Sequence, residues 1–184
     1  MVSLLRAAQH EEFPVEFTTV ISDKIEAPGL GIATGAGIKT HALRQCRDGR
    51  EAWEQELHQL LTEAEVDLIC LAGFMRLLSA DFVEQWEGRI LNIHPSLLPE
   101  FPGLDAQAQA LDAGASEAGC TVHVVTAEMD AGPIWGQARV PVHPSDSVAA
   151  LSIRILAEEH QLYPAMVAKF VQDTWTTKET VHAG

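Results

Sequence analysis

Apolar residues recur along this chain in two rhythms. Inside Arg50–Glu63, Trp53, Leu57, Leu60 and Leu61 fall at helical spacing, so the segment predicts an amphipathic helix. Apolar side chains instead run almost unbroken through Val66–Ala72 (VDLICLA) and Arg89–His94 (RILNIH), as in strands covered on both faces. Val15–Ser22 (VEFTTVIS) is rich in β-branched residues and predicts a further strand. Residues 2–9 read as a short helix with Leu4 and Leu5 inward, and residues 79–87 as another. Pro28–Gly37 carries four glycines and reads as loops around a weakly marked helix. Gln107–Ala113 is a short helix that Gly114 stops. Cys120–Thr126 alternates, and pairs with Ile134–Val142 around the turn Asp130–Pro133. Ser145-Asp-Ser147 caps a long helix whose apolar side is Val148, Leu151, Ile155 and Leu162. Pro164 predicts a kink or break in it before residues 165–172.

Strands alternating with helices, the early strands apolar throughout, predict an α/β fold with a mostly parallel sheet flanked by helices. The 184 residues carry no repeat, linker or low-complexity tract and read as one domain over residues 1–184. Ligands of such sheets bind beyond the carboxyl ends of strands. That rule directs attention to Gly73–Arg76, to Asn92–Ser96 and to Thr126–Asp130.

Composition narrows the function classes. A net charge of −14, from 12 basic against 26 acidic residues, argues against nucleic-acid binding, which needs a basic footprint. It leaves room for a small anionic ligand, and the arginines Arg44, Arg47, Arg50, Arg76 and Arg89 are the natural group to serve one. No apolar run is long enough to span a membrane, and the N-terminus lacks a signal-peptide pattern. The cysteines Cys46, Cys70 and Cys120 form no CxxC pair, which points to reduced thiols and a cytoplasmic protein. No metal site is expected, because neither H-E-x-x-H nor C-x-x-C occurs.

Asn92 and His94 stand two apart at a strand end, so their side chains share one side. The pair offers an amide donor and a group that titrates near neutrality, and Asp130, after another strand, can orient that imidazole. No serine or cysteine shares the spacing. The set therefore suits polarising a carbonyl and moving protons while one bound substrate attacks another. The plainer reading is that His94 is a satisfied structural histidine and Asp130 a turn former before Ala-Gly-Pro. His123, opposite in phase to Cys120, Val122 and Val124, reads as a partly buried structural residue.

Three stretches carry a resemblance: Leu71–Ser79 (LAGFMRLLS), Ile90–Pro99 (ILNIHPSLLP) and Gly119–Pro133 (GCTVHVVTAEMDAGP). They closely resemble the phosphoribosylglycinamide formyltransferases, the folate-dependent formyl transfer family of purine synthesis. The likeness extends from about residue 2 to Glu159–Pro164 (EHQLYP) in the last helix. It implies a Rossmann-like formyltransferase domain acting on 10-formyltetrahydrofolate and glycinamide ribonucleotide, as a monomer or homodimer. The implied mechanism is direct attack of the amine on the formyl carbon. Asn92 would then bond the oxyanion, His94 would act as imidazolium, and Asp130 would hold the imidazole and assist proton transfer. By the same matching, Arg76, Leu77, Leu78, Val83 and the segment with Val125, Thr126 and Ala127 would line the folate pocket. Arg50 or Arg76 would meet the folate's anionic tail, and Met75, Ile93, Pro95 and Glu159 would contact the ribonucleotide.

The chain departs from the family in three places. The family opens with a strand and a Gly-Ser-Asn type loop that holds the substrate phosphate at a helix N-terminus, whereas this sequence starts at that helix. Asp105 and Gln107 stand where histidines are usual, and Leu156 where a polar residue can stand. The first departure leads to the expectation of a native chain about 12–15 residues longer, with an apolar strand and a phosphate-binding turn. The rival readings are a formyltetrahydrofolate deformylase-like hydrolase and a non-catalytic folate- or nucleotide-binding relative. Transfer RNA formyltransferases carry a further C-terminal domain for which no residues remain.

Overall fold

Two strand–helix–strand crossovers organise the chain. In the computed structural model, which describes residues 1–44 and 49–179 and the side chains up to residue 175, β1 (Thr19–Ser22) crosses through α2 (Pro28–Gly35) to β2 (Lys39–Ala42). Further on, β3 (Ile69–Leu71) crosses through α4 (Ala80–Gln85) to β4 (Ile90–His94). Both strand pairs are parallel, as a crossover connection demands. The second half of the sheet is a hairpin. There β5 (Glu117–Val124) lies antiparallel between β4 and β6 (Ile134–Pro141). The remaining helices are α1 (Val2–Ala7), α3 (Arg50–Glu63), α5 (Ala106–Asp112) and α6 (Val148–Glu179). Cys46 and Arg47 lie outside the described residues.

Side-chain alternation along β4 sorts the core into layers. Leu91 joins Val122 of β5 beneath Tyr163, Val167 and Phe170 of α6, while its neighbour Ile90 packs oppositely with Phe82, Val83 and Trp86. On α3, Trp53 and Leu61 are buried as their spacing predicts. Ser79 caps α4 by accepting from the N–H of Phe82, and its own N–H and hydroxyl both go to the buried carboxylate of Glu54 on α3. This polar joint locks two helices that the apolar pattern alone would leave free to slide.

Several boundaries differ from the sequence reading, each for a physical reason. The strand expected over Val15–Ser22 narrows to Thr19–Ser22, because Val15 and Phe17 pack against the α6 layer instead of pairing. β2 was not expected. Its sequence, Lys39-Thr-His-Ala42, is polar, and it becomes a strand because β1 offers it a backbone edge. α6 runs unbroken through Pro164, so the proline does not end the helix as the sequence reading allowed. Pro164 is only half-buried, while Tyr163, Val167 and Phe170 seat the helix on both sides of it. Val148 is 47% exposed, so the buried line of α6 starts at Leu151.

The sheet is in two pieces, β1-β2 and β3-β4-β5-β6. Between β1 and β3 lies a cavity of about 710 Å³, lined by both strands with Leu4, Leu5 and Phe82. Consequently β3 is only half-buried along its length, although its neighbour β4 is fully buried at Ile90 and Leu91. Beside its parallel ladder with β4, β3 is tied to α6 by Tyr163, whose hydroxyl lies 2.9 Å from the Leu71 carbonyl and 3.0 Å from that of Leu91. Tyr163→Phe keeps the apolar packing but removes this tie from a buried site. It should cost about 1–3 kcal/mol. A thermal unfolding scan should show a Tm lower by several degrees, and an unchanged Tm would refute this role for the hydroxyl.

Candidate active site

Polar groups buried in an apolar fold must find partners, and one cluster here does so across four chain segments. Asn92 of β4 stands directly opposite His123 of β5, and His94 opposite Thr121, so four polar side chains share one face of the sheet. Asn92 Nδ2 lies 3.2 Å from His123 Nε2. His123 Nδ1 in turn lies 3.2 Å from the Val124 carbonyl. A carbonyl can only accept, so Nδ1 carries the proton when the ring is neutral, and Nε2 is then the acceptor for the amide.

Asp130 closes the cluster. β5 runs antiparallel to β4, so the loop after it must double back to reach His94. It does so through Asp130 itself, whose φ is 53°. The Asp130 carboxylate accepts from the Gly103 N–H at 2.8 Å, lies 3.5 Å from His94 Nδ1 and lies 3.7 Å from His123 Nε2. His94 Nε2 lies 3.1 Å from the Phe101 carbonyl. Both nitrogens of His94 thus face acceptors, a setting that satisfies the two N–H groups of an imidazolium.

The loop behind these residues is pinned by one hydroxyl. Thr121 Oγ1 donates to the Ser96 carbonyl at 2.7 Å, and accepts from the Leu98 N–H at 3.0 Å and Gln137 Nε2 at 2.9 Å. Strain collects here as well. Among the described residues, four non-glycines have positive φ, and Phe101, Asp105 and Asp130 of that set lie in the two loops of the cluster. Such strain persists where the surroundings over-determine the backbone, as at ligand sites. A Cβ on Gly132 would overlap the Val124 carbonyl oxygen, the group that holds His123. That position admits only glycine.

Comparison with known proteins now bears on the cluster. The formyl transferase profile matches residues 1–167 of the chain. The chain belongs to the formyl transferase family. Its relatives in this family include the phosphoribosylglycinamide formyltransferase of Escherichia coli, 47% identical over 152 residues that make up 82% of this chain and 72% of that protein. The trifunctional purine biosynthetic protein adenosine-3 of Drosophila melanogaster is 50% identical over 84% of this chain. This chain spans only 12% of that longer protein. Among formyl transferase structures, phosphoribosylglycinamide formyltransferase from Brucella melitensis superposes with a TM-score of 0.86, at 52% identity, covering 91% of this chain and 87% of its own.

The other residues matched by resemblance fall into separate groups. Leu78, Val83 and Val125 pack in one apolar cluster with Ile90, whereas Met75 and Leu77 are exposed at 72% and 62%. Thr126 and Ala127 are exposed on the loop that leads to Asp130, and Ile93 and Pro95 are half-buried on either side of His94. Arg76 reaches Asp23 at 2.9 Å and lies over the Trp53 ring, while Arg50 is exposed at the start of α3. Glu159 sits on α6, where burial raises its pKa and the Met1 amino group opposes that rise. Cys70 and Cys120 are pushed up to about 12 by burial, so neither is a nucleophile at neutral pH.

His123, expected to be a partly buried structural residue, is 2% exposed and stands against Asn92. Its phase along β5 was visible, but the register that sets it against Asn92 was not. Burial lowers its pKa, opposed by the Val124 carbonyl and Asp130, while His94 adds to the lowering. A histidine with a depressed folded-state pKa binds its proton more readily when unfolded. Its contribution to stability is therefore full above the unfolded value of about 6.5 and is lost as pH falls through the lower folded value. The Tm should drop between about pH 7 and 5, and His123→Gln should drop less over the same window. Equal slopes for the two proteins would refute it.

Proposed function

We propose that this chain transfers the formyl group of 10-formyltetrahydrofolate to the amine of glycinamide ribonucleotide, as a single cytoplasmic domain of the purine pathway, monomeric or homodimeric. The observation that carries this reading is the meeting of Asn92, His94 and Asp130 in one cluster whose only hydroxyl, that of Thr121, is already taken up by the Ser96 carbonyl, the Leu98 N–H and Gln137. Such a set suits attack of one bound substrate on another. The relatives' names supply the two substrates.

In this mechanism the ribonucleotide amine attacks the formyl carbon, and the carbonyl π electrons move onto oxygen. Asn92 donates an N–H to that oxyanion. His94, held between the Phe101 carbonyl and Asp130, supplies fixed positive charge beside it. The attacking nitrogen then gives up a proton through water to Asp130. The oxyanion's electrons re-form the C=O as the carbon–N10 bond breaks, and the proton held by Asp130 passes through water to N10 as tetrahydrofolate leaves. Preorganised donors of this kind are worth about 3–4 kcal/mol each of barrier. The folate is read as lying along the exposed Met75 and Leu77 and the 125–130 loop, with Arg50 or Arg76 toward its anionic tail. Met75, Ile93, Pro95 and Glu159 are assigned to the ribonucleotide side, on the strength of the resemblance.

The test is turnover with both substrates. His94→Ala and Asp130→Asn should each lower kcat by about 100-fold or more while thermal stability stays near that of the parent. Consumption of the formyl folate at the same rate without ribonucleotide would favour a hydrolase, and undiminished turnover in either variant would refute the site.

A further inference from the structure

The amide of Asn92 has a problem that its own strand cannot solve. A carboxamide turned by 180° exchanges its N–H₂ for its C=O with little change in shape. Only the N–H₂ orientation can stabilise an oxyanion. The other orientation would place one lone pair against another. Something must therefore choose between them before the substrate arrives.

We infer that His123 is a positioning residue: held in its Nδ1–H form by the Val124 carbonyl, it accepts a hydrogen bond from Asn92 Nδ2 and so fixes which way the catalytic amide faces. The inference rests on the functional reading above, in which Asn92 meets the formyl oxygen. The chain of partners runs in one direction. The Val124 carbonyl, 3.2 Å from His123 Nδ1, can only accept, so the proton is on Nδ1. Nε2 is then bare, and 3.2 Å away stands the Asn92 nitrogen, not its oxygen, nearer than the Asp130 carboxylate at 3.7 Å. With one N–H of Nδ2 committed to His123, the second N–H of the same nitrogen is left for the oxyanion.

Three features of the fold protect this arrangement. His123 is 2% exposed, so water cannot compete for Nε2. The pairing of Asn92 with His123 is a register position of the β4-β5 ladder, which fixes their separation through the backbone. Gly132 leaves the Val124 carbonyl room to stay where His123 needs it. His123 touches neither substrate in this account. It acts through Asn92.

Two measurements test this. First, two-bond proton–nitrogen correlation spectra of the ¹⁵N-labelled, unliganded protein at about pH 7.5 report the tautomer of each imidazole, and His123 is assigned by the signals that vanish in His123→Gln. The expected ring is neutral and protonated at Nδ1; a ring protonated at Nε2 overturns the inference. Second, His123→Leu keeps bulk but cannot accept, whereas His123→Gln can present Oε1 near the place of Nε2. His123→Leu should lower kcat about 10- to 100-fold with KM for both substrates nearly unchanged. His123→Gln should recover most of that loss. Undiminished kcat in His123→Leu, or a Gln variant as slow as the Leu variant, overturns the inference. The spectrum needs no turnover. A parent protein with the expected ring but no formyl transfer would sink the functional reading and leave the His123–Asn92 arrangement standing.

Discussion

The register of β4 against β5 is the constraint on which the site depends. Shifting that antiparallel pairing by one residue would turn every side chain of one strand to the opposite face. Asn92 would then lose His123 and Leu91 would leave the α6 layer, so the polar cluster and the apolar core would fail together. Core packing and site geometry are thus one requirement. The apolar positions Leu91 and Val122, beneath Tyr163 and Val167, select the register, and the polar positions inherit their places from it.

Electrostatics follow the same logic at shorter range. The chain as a whole carries −14, yet the cluster gathers two histidines and a single carboxylate. Asp130 is the only acidic group of that set, and it is shared: the Gly103 N–H holds it, and both rings flank it. The two rings are not equivalent. His94 has an acceptor at each nitrogen, whereas His123 has the Val124 carbonyl on one side and, on the other, the Asn92 amide nitrogen at 3.2 Å, nearer than the Asp130 carboxylate at 3.7 Å. Neighbouring partners, rather than residue type, set the two rings apart.

The two halves of the sheet are built to different standards. β4, β5 and β6 form a continuous unit under α6, most deeply buried in β5, and the cluster sits on β4 and β5. β1 and β2 are a separate pair, set off from β3 by a cavity. Side-chain joints reach across to that pair: Trp53 Nε1 donates to the Leu43 carbonyl just after β2, and Arg76 meets Asp23 just after β1. The residues that hold the polar cluster are therefore those least affected by the gap.

Much of this was legible in the chain alone. The helical spacing of Trp53, Leu57 and Leu61 and the apolar runs ending at Leu71 and His94 marked their elements, because burial imposes a period that sequence records directly. Asn92 and His94 announced themselves by sharing one phase at a strand end, and the motifs around them carried the family. β2 was not legible, since a polar tetrapeptide becomes a strand only where another strand offers it hydrogen bonds. Nor was the continuity of α6 through Pro164, which the packing of residues on either side enforces. His123 shows the limit most clearly. Its alternation along β5 was plain, but a residue's period says which face it occupies and nothing of what stands opposite. Local sequence determines face and element; only the pairing of distant strands decided that His123 meets Asn92, because register is set by the whole core at once.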